Sequence, residues 1–409
     1  MPINFPPFLE KDGALSATGV ATETVFRTPV AATTFLPSMG NTLDYDPGWF
    51  SPELMMATRD LHVFNLYGEA KLDGALDGPL MPSNAIIAVV AAIGQDNQPA
   101  AGVTGSTPTS STTLNGALTS GTSTFTLTSA TGYAIGSIIQ VDSNNTVGPT
   151  TAEVRKIATL AGASGTVDRA WTYNHNTGAT VNVVVAPFTH TITQTNTLPS
   201  LTVEKNIGNF QSLQFAGTRV GKLSIKAPVA NQPVTITADV SASTFTVLDS
   251  PTAVSVVNEL PFVFTEASLT VFGTPRYEAS NVELDIDNGL KQTWTYGGNH
   301  GPNFLTPLTV HGSGKLDLVF DSLDDATYGD YTKMTNGTLG TLVLSFAHPS
   351  STSTITFTLP QIALTKYVTD TKMNDVVMGG VTYEATRPLT GTSQYTIGAT
   401  IANSIYLPY

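Results

Sequence analysis

The sequence predicts a mainly β protein with few helices and a small inserted β-barrel or sandwich. Three observations predict it. Apolar residues recur at period two, turn-forming Asn-Gly and Asp-Asn-Gly stretches separate those runs, and helix signals are few.

In "PVTITADV", Val234, Ile236, Ala238 and Val240 alternate with Thr235, Thr237 and Asp239, the pattern of a half-buried strand. "GKLSIKA" places Leu223, Ile225 and Ala227 on one face and Lys222, Ser224 and Lys226 on the other. "KLDLVF", "TLVLSF", "TITFTLP" and "QYTIGATIA" behave alike. Turns are expected at Asn206–Asn209, Asp287–Gly289 and Thr335–Thr338. A helix is predicted in "MPSNAIIAVVAAIG", with Ser83 as N-cap and Gly94 as terminator, and a second in "SPELMMATRDLHVF", with Ser51 as N-cap.

From Gln95 to Thr113 the chain is rich in Gly, Ser, Thr and Pro and reads as a linker or loop. Residues 100–185 then form a unit of five or six short strands, expected to be an inserted domain. The flanking chain is expected to form a first domain from 1–99 and 186–250 and a second from 251–409. "SLTV" occurs at Ser200–Val203 and again at Ser268–Val271. Phe215, Leu223 and Ile225 follow the first copy, and Tyr277, Leu284 and Ile286 follow the second. This is read as a duplicated domain, against the alternative of two unrelated hairpins of similar composition.

Composition narrows function. Charged residues are 12% of the chain, about half the ~25% usual in soluble proteins. The net charge of −13 argues against a nucleic-acid binder, since phosphate affinity comes from cations; it suits a surface past which nucleic acid slides. With no cysteine there is no disulfide and no thiolate metal site. "MPINFPPFLE" lacks the form of a Sec signal, and the longest apolar run, Ala85–Gly94, is half a membrane span, so no membrane association is expected.

No catalytic, cofactor or metal residues are nominated. The six histidines lack metal-ligand spacing, and His175 in "YNHNTG" reads as a turn residue. No nucleophile elbow or P-loop is present. Carboxylates cluster at Asp44–Phe50, Glu283–Asn288 and Asp321–Tyr331, where a glycosidase pair or a calcium site is the alternative to a solvated face. Asp285 and Asp287 alternate with Leu284 and Ile286 and so belong to a strand's polar face. "DYDPGWFSPELMM" sets aromatics and methionines in a Pro- and Gly-broken stretch, either an interaction surface or a loop folding on its own core.

The phrases "MPINFPPFLE", "SLTVEKNIGNFQSLQFAGTRVGKLSIKAPVANQPVTITADVSA", "FTEASLTVFGTPRYEASNVELDIDNGLKQTWTYGG", "GSGKLDLVFDS" and "ITFTLPQIALTK" resemble the major tail tube proteins of tailed bacteriophages. The resemblance implies a virion structural protein and no enzyme, built of tandem β-sandwich or barrel domains with a short flanking helix. Its rings would stack into a hollow tube, with inner sheets closing into a barrel around double-stranded DNA that passes without specific binding. It implies trimeric, pseudo-sixfold rings for a duplicated chain, and assembly in the host bacterial cytoplasm into the virion tail. The implied partners are further copies of the chain and other tail proteins (tape measure, tail terminator and distal tail). On this footing Asp44, Tyr45, Asp46, Trp49 and Phe50, with the N-terminal arm, are candidate inter-ring contacts. Lys222, Lys226, Glu283, Asp285 and Asp287 are candidate lumen-facing charges. The alternatives are another virion component (decoration, baseplate or fibre) or a secreted carbohydrate-binding β-sandwich using Trp49 or Trp294.

Overall fold

Long antiparallel strands carry the fold. The computed structural model describes residues 17–53, 65–96, 110–142, 151–208, 211–229, 231–296, 301–319, 329–349, 352–371, 377–391 and 393–407. The chain begins with β1 (Thr18–Thr22), β2 (Thr34–Leu36), β3 (Gly40–Asn41), β4 (Asp73–Pro79), α1 (Ile86–Ile93) and β5 (Gly94–Asp96). Next come β6 (Ser110–Thr113), β7 (Thr124–Thr126), β8 (Ile138–Val141), β9 (Glu153–Ala161), β10 (Ser164–Val167), β11 (Thr180–Val183) and β12 (Phe188–Gln194). Then follow β13 (Leu201–Ile207), β14 (Gln211–Pro228), β15 (Thr235–Ser241), β16 (Thr244–Leu248), β17 (Ala267–Val271), β18 (Thr274–Pro275) and β19 (Ala279–Asp287). The chain closes with β20 (Lys291–Thr293), β21 (Phe304–Thr306), β22 (His311–Val319), α2 (Asp330–Thr335), β23 (Leu339–Ala347), β24 (Thr354–Asp370), β25 (Met378–Ala385) and β26 (Gly398–Asn403).

Two units are distinguished. The first comprises Met1–Gln95, Gln194–Leu344 and Thr358–Gly398; the second comprises Asp96–Thr193, Ser345–Phe357 and Ala399–Tyr409. At the centre of the first unit lies an antiparallel ladder in the order β3-β4-β15-β14-β19-β22-β25-β24. Its alternation is the one read in the sequence. Leu223 pairs with Ile286 and Ile225 with Leu284, all essentially solvent-free, while the residues between them face the other way. α1 is buried along its whole length and packs against β14, so it lies on the apolar side. β14 runs 18 residues: its first half pairs with β13 and β16, and its second with β15 and β19.

One order of elements occurs twice in the first unit. β1 and β2 form a hairpin and β1 also pairs with β13; β17 and β18 form a hairpin and β17 also pairs with β23. β3 and β4 enclose one arm, and β19 and β22 enclose another, β20–β21. α1 follows β4 as α2 follows β22. Finally β14 pairs with β15 across a register shift between Val220 and Lys222, and β24 pairs with β25 across a shift between Leu364 and Lys366. In this order the two SLTV stretches hold different places. Ser200–Val203 leads into and includes part of β13, whereas Ser268–Val271 lies within β17, the counterpart of β1.

The second unit contains a sheet in the order β6-β11-β8-β9-β10-β7, made from the segment read as an insertion. Trp171, Phe125, Ile139, Val141, Ile157 and Val181 are among the residues of its apolar core. In the same unit β12 pairs with β26, and Phe188 packs against Val154 and Val184.

The predicted helix forms, but without a side-chain cap. Helix α1 begins at Ile86, and Ser83 does not cap it. Instead the N–H groups of Ser83 and Asn84 donate to Glu259 Oε1 at 2.6 and 3.1 Å. Gly94 does end the helix, at φ 148°. Of the second predicted helix, residues 51–53 are non-helical and the remainder lies outside the described residues. Helix α2 grows from the acidic run that drew attention as a carboxylate cluster.

Candidate functional site

The polar face of the ladder gathers all five of the charges nominated as lumen-facing. Lys222 on β14 stands opposite Asp239 on β15 and Asp287 on β19, and Lys226 stands opposite Glu283. Lys222 Nζ lies 3.1 Å from Asp285 Oδ2, and Lys226 Nζ lies 3.9 Å from Glu283 Oε1. Ser224 Oγ donates to Asp285 Oδ1 at 2.5 Å. The pattern continues on β22, where Lys315 stands opposite Glu283 and approaches Asp317 at 2.7 Å. Further along, His311 lies 3.9 Å from Glu384. Lys366 follows the β24 bulge and faces Thr382.

The lysines are thus interleaved with a larger number of carboxylates: Asp77, Asp239, Glu283, Asp285, Asp287, Asp317 and Glu384. Burial raises the Asp239 carboxyl above its ordinary value; Lys222 counters this, and Asp77, Asp285 and Asp287 add to it. The spacing between same-face rows is about 6.6 Å along a strand, less than the ~8 Å Debye length in physiological salt. Each lysine's field is therefore offset by the carboxylates around it, and the face keeps an excess of negative charge.

The nominated contact segment at Asp44–Phe50 is one side of an arm at the start of β4. Asp46 and Lys71 exchange N–H···O bonds at 2.8 Å, and Phe50 and Leu66 do so at 3.0 and 2.8 Å. Gly48 adopts φ +60° and abuts the Glu69 carbonyl, so a Cβ has no room there. The segment divides between the two readings left open for it. Tyr45 stacks on Phe245 at 4.4 Å and so faces its own unit. Asp46 Oδ1 accepts from Gly48 N–H at 3.0 Å, and Asp44 Oδ1 accepts from Tyr45 N–H at 2.9 Å, so both acids shape the turn. Trp49, stacked on Tyr67 at 3.8 Å, remains half exposed, as does Phe50.

The β20–β21 arm stands beside it. Trp294 Nε1 donates to Ala70 O at 3.2 Å and Gln292 Nε2 to Asp73 Oδ1 at 2.6 Å, while Phe304 and Tyr296 are exposed. Trp294, considered as a saccharide platform, is thereby anchored to the base of the first arm. The N-terminal arm lies outside the described residues.

Sequence reasoning missed a buried charged group in the second unit. His175, read as a turn residue rather than a ligand, forms a bridge with Leu118 and is almost completely buried, with Nδ1 2.9 Å from Asp142 O and Nε2 3.2 Å from Glu153 Oε1. Glu153 also accepts from the N–H groups of Thr172 and Tyr173 and pairs with Arg155. Burial works to raise Glu153, but these hydrogen bonds and Arg155 outweigh it and hold the carboxyl below its ordinary value of 4.5. The signal available in the sequence was an alternating strand, "AEVRKI", with charged residues at inward positions. Among the described residues no group of His, Asp and Glu is arranged to hold a metal ion.

Comparison with curated proteins finds no match. A family model described as "Phage tail tube protein" matches residues 13–401, nearly the whole chain. With a mostly β architecture that this family accommodates, and a match of that extent, the chain belongs to the phage tail tube protein family.

Proposed function

We propose that three copies of this chain close a ring whose bore is lined by the polar face of the ladder, and that stacked rings conduct double-stranded DNA. The observation that carries this reading is the ladder itself: one face buried under α1, the other bearing lysines already matched to carboxylates. The repeated order of elements supports an internal duplication, with the first copy interrupted by the inserted sheet and the second starting after residue 250. Each copy supplies four of the eight strands. Three chains would then give a barrel of ~24 strands, about 37 Å across the backbone at ~4.8 Å per strand before strand tilt widens it. That is room for a duplex. At the borders of the ladder are β3 and the exposed end of β24, edges that pairing between copies would cover. Trp49 and Phe50 serve as inter-ring contacts in this reading. The tape measure, tail terminator and distal tail proteins are the other expected partners, with assembly in the host cytoplasm.

The test combines electron microscopy of the purified chain, seeded with a tail-tip complex where needed, with native mass measurement of discrete rings. Hollow tubes and rings of three chains are expected. A second arm of the test uses the absence of native cysteine. Ser224→Cys should react with a protein-sized maleimide in the free chain and be shielded from it in assembled tubes. Labelling of tubes along their whole length would place that face outside and overturn the assignment.

A further inference from the structure

Asn-Gly occurs three times in the chain, at Asn115–Gly116, Asn288–Gly289 and Asn336–Gly337. The pair suits a turn, and it also carries a chemical liability. The main-chain nitrogen after an asparagine can attack that asparagine's side-chain carbonyl, and glycine, with no Cβ, obstructs the attack least. The reaction needs an Asn side chain free to turn and a following N–H released from hydrogen bonding. The three sites differ in both respects.

Asn288 is locked. It is fully buried, its Nδ2 donates to Ala92 O at 3.0 Å and to Val220 O at 3.1 Å, and Gly289 N–H donates to Asp287 Oδ1 at 2.8 Å. Asn336 is exposed but partly held: it closes α2, and Gly337 N–H donates to Met334 O at 3.1 Å. Asn115 is exposed, and among the described residues neither its side chain nor Gly116 N–H has a hydrogen-bond partner. Even a Cβ at position 116 would meet nothing within 4 Å. The site nevertheless sits on a fixed frame. Asn115 N–H donates to Thr126 O at 2.9 Å and Thr128 N–H to Thr113 O at 2.8 Å. These bonds join β6 to β7, the two outer strands of the second unit's sheet, and close it into a barrel. Leu114 and Leu118, on either side of the pair, belong to its core.

We propose that Asn115 is a site of spontaneous covalent modification, deamidating through a succinimide formed with Gly116, and that the fold protects Asn288 from the same reaction. Gly116 N gives up its proton and bonds to Asn115 Cγ. The Cγ–Nδ2 bond then breaks, and Nδ2 takes up a proton and leaves as ammonia. Water adds to either imide carbonyl and opens the ring, giving aspartate or isoaspartate. One water is consumed and one ammonia released, with no oxidant or reductant. Both products add a negative charge to the second unit. Isoaspartate also adds a methylene to the main chain between Leu114 and Leu118, at the seam where the barrel closes. The reaction needs no assembled tube, so it stands apart from the ring reading above.

The full chain is incubated in mildly alkaline buffer, folded or in urea, and each Asn-Gly site is followed by peptide mass spectrometry. Isoaspartate is scored with an isoaspartyl methyltransferase and labelled S-adenosylmethionine. In urea the three sites are expected to react at rates within a few-fold of one another. In the folded chain Asn115 is expected to stay within a few-fold of its unfolded rate. Asn336 should be slowed ~2–10-fold by its one hydrogen bond and Asn288 at least ~100-fold by its three. Gly116→Ala, which fits the open space at a φ outside the left-handed region, is expected to slow Asn115 severalfold without lowering Tm. In the isoaspartyl fraction the Leu118 N–H, bonded to His175 O at 2.8 Å, is expected to exchange faster than in the unmodified chain. An amide retained at Asn115 in the folded chain, a folded order of rates no different from that in urea, or no slowing in Gly116→Ala would overturn the assignment. Unchanged exchange at Leu118 would overturn the effect on the seam.

Discussion

Lys222 illustrates how little one side chain decides and how much its setting does. It stands across from Asp239 and Asp287 and bonds Asp285, so its removal leaves three carboxylates facing each other. The Asp239 carboxyl is already raised, so its contribution to stability is present below the unfolded-state value of 3.8 and lost as pH rises through the folded-state value. Lys222→Gln is therefore expected to leave thermal stability unchanged near ~pH 3 and to lower it by at most ~1 kcal/mol near ~pH 7, since the site is part-exposed and screened. Thermal melts at the two pH values check this. Glu153 has the opposite sign. Its depressed carboxyl stabilises the second unit above 4.5 and loses that effect as pH falls. Glu153→Ala is expected to cost about 3 kcal/mol at neutral pH, because it strands buried Arg155 and His175, and less in acid. Trp171, with Arg155 5.5 Å from its ring centroid, supplies the fluorescence readout.

Among the elements, the ladder strands tolerate least. Leu284, fully buried opposite Ile225, is expected to cost 2–5 kcal/mol on change to Ala, measured by chemical denaturation. Gly314 on β22 has a different reason to resist change. Tyr383 lies over it and donates its hydroxyl to Glu283 O at 2.9 Å, so a Cβ at position 314 would collide with both. Gly314→Ala is expected to destabilise the first unit by more than the ~1 kcal/mol of an average point substitution, seen as a lowered Tm. These strands were legible in advance because burial on one face imposes period two on the residues themselves, as at Val234, Ile236, Ala238 and Val240. The tether of the turn before α1 was not, since Glu259 lies 176 residues from Ser83. Nor was the pairing of Glu153 with His175, which is set by the closure of a sheet rather than by spacing. The SLTV match pointed to a repeat but joined strands that are not counterparts; strand order and a bulge before Lys222 and Lys366 carry the correspondence, and neither depends on residue identity.

For the whole molecule, the inserted sheet is the part that assembly should spare. Ser110 and Val183, near its two ends, are paired neighbours on β6 and β11, so the sheet enters and leaves at one place. Replacing 110–183 by a short Gly-Ser link is expected to leave the number of chains per ring and tube formation unchanged, checked by native mass and electron microscopy; loss of rings on excision would give the insertion a part in assembly.

The length of β14 has a mechanical consequence. Its 18 residues serve two sheets in turn, tied to β13 and β16 along one half and to β15 and β19 along the other. Antiparallel hydrogen bonds run perpendicular to the strands. A pull along β14 therefore loads all of them in shear, and the strand yields only when many give way at once. A pull across it would peel them singly, like a zipper. A tube with such strands along its length would be stiff under tension and vulnerable to sideways prying at its seams.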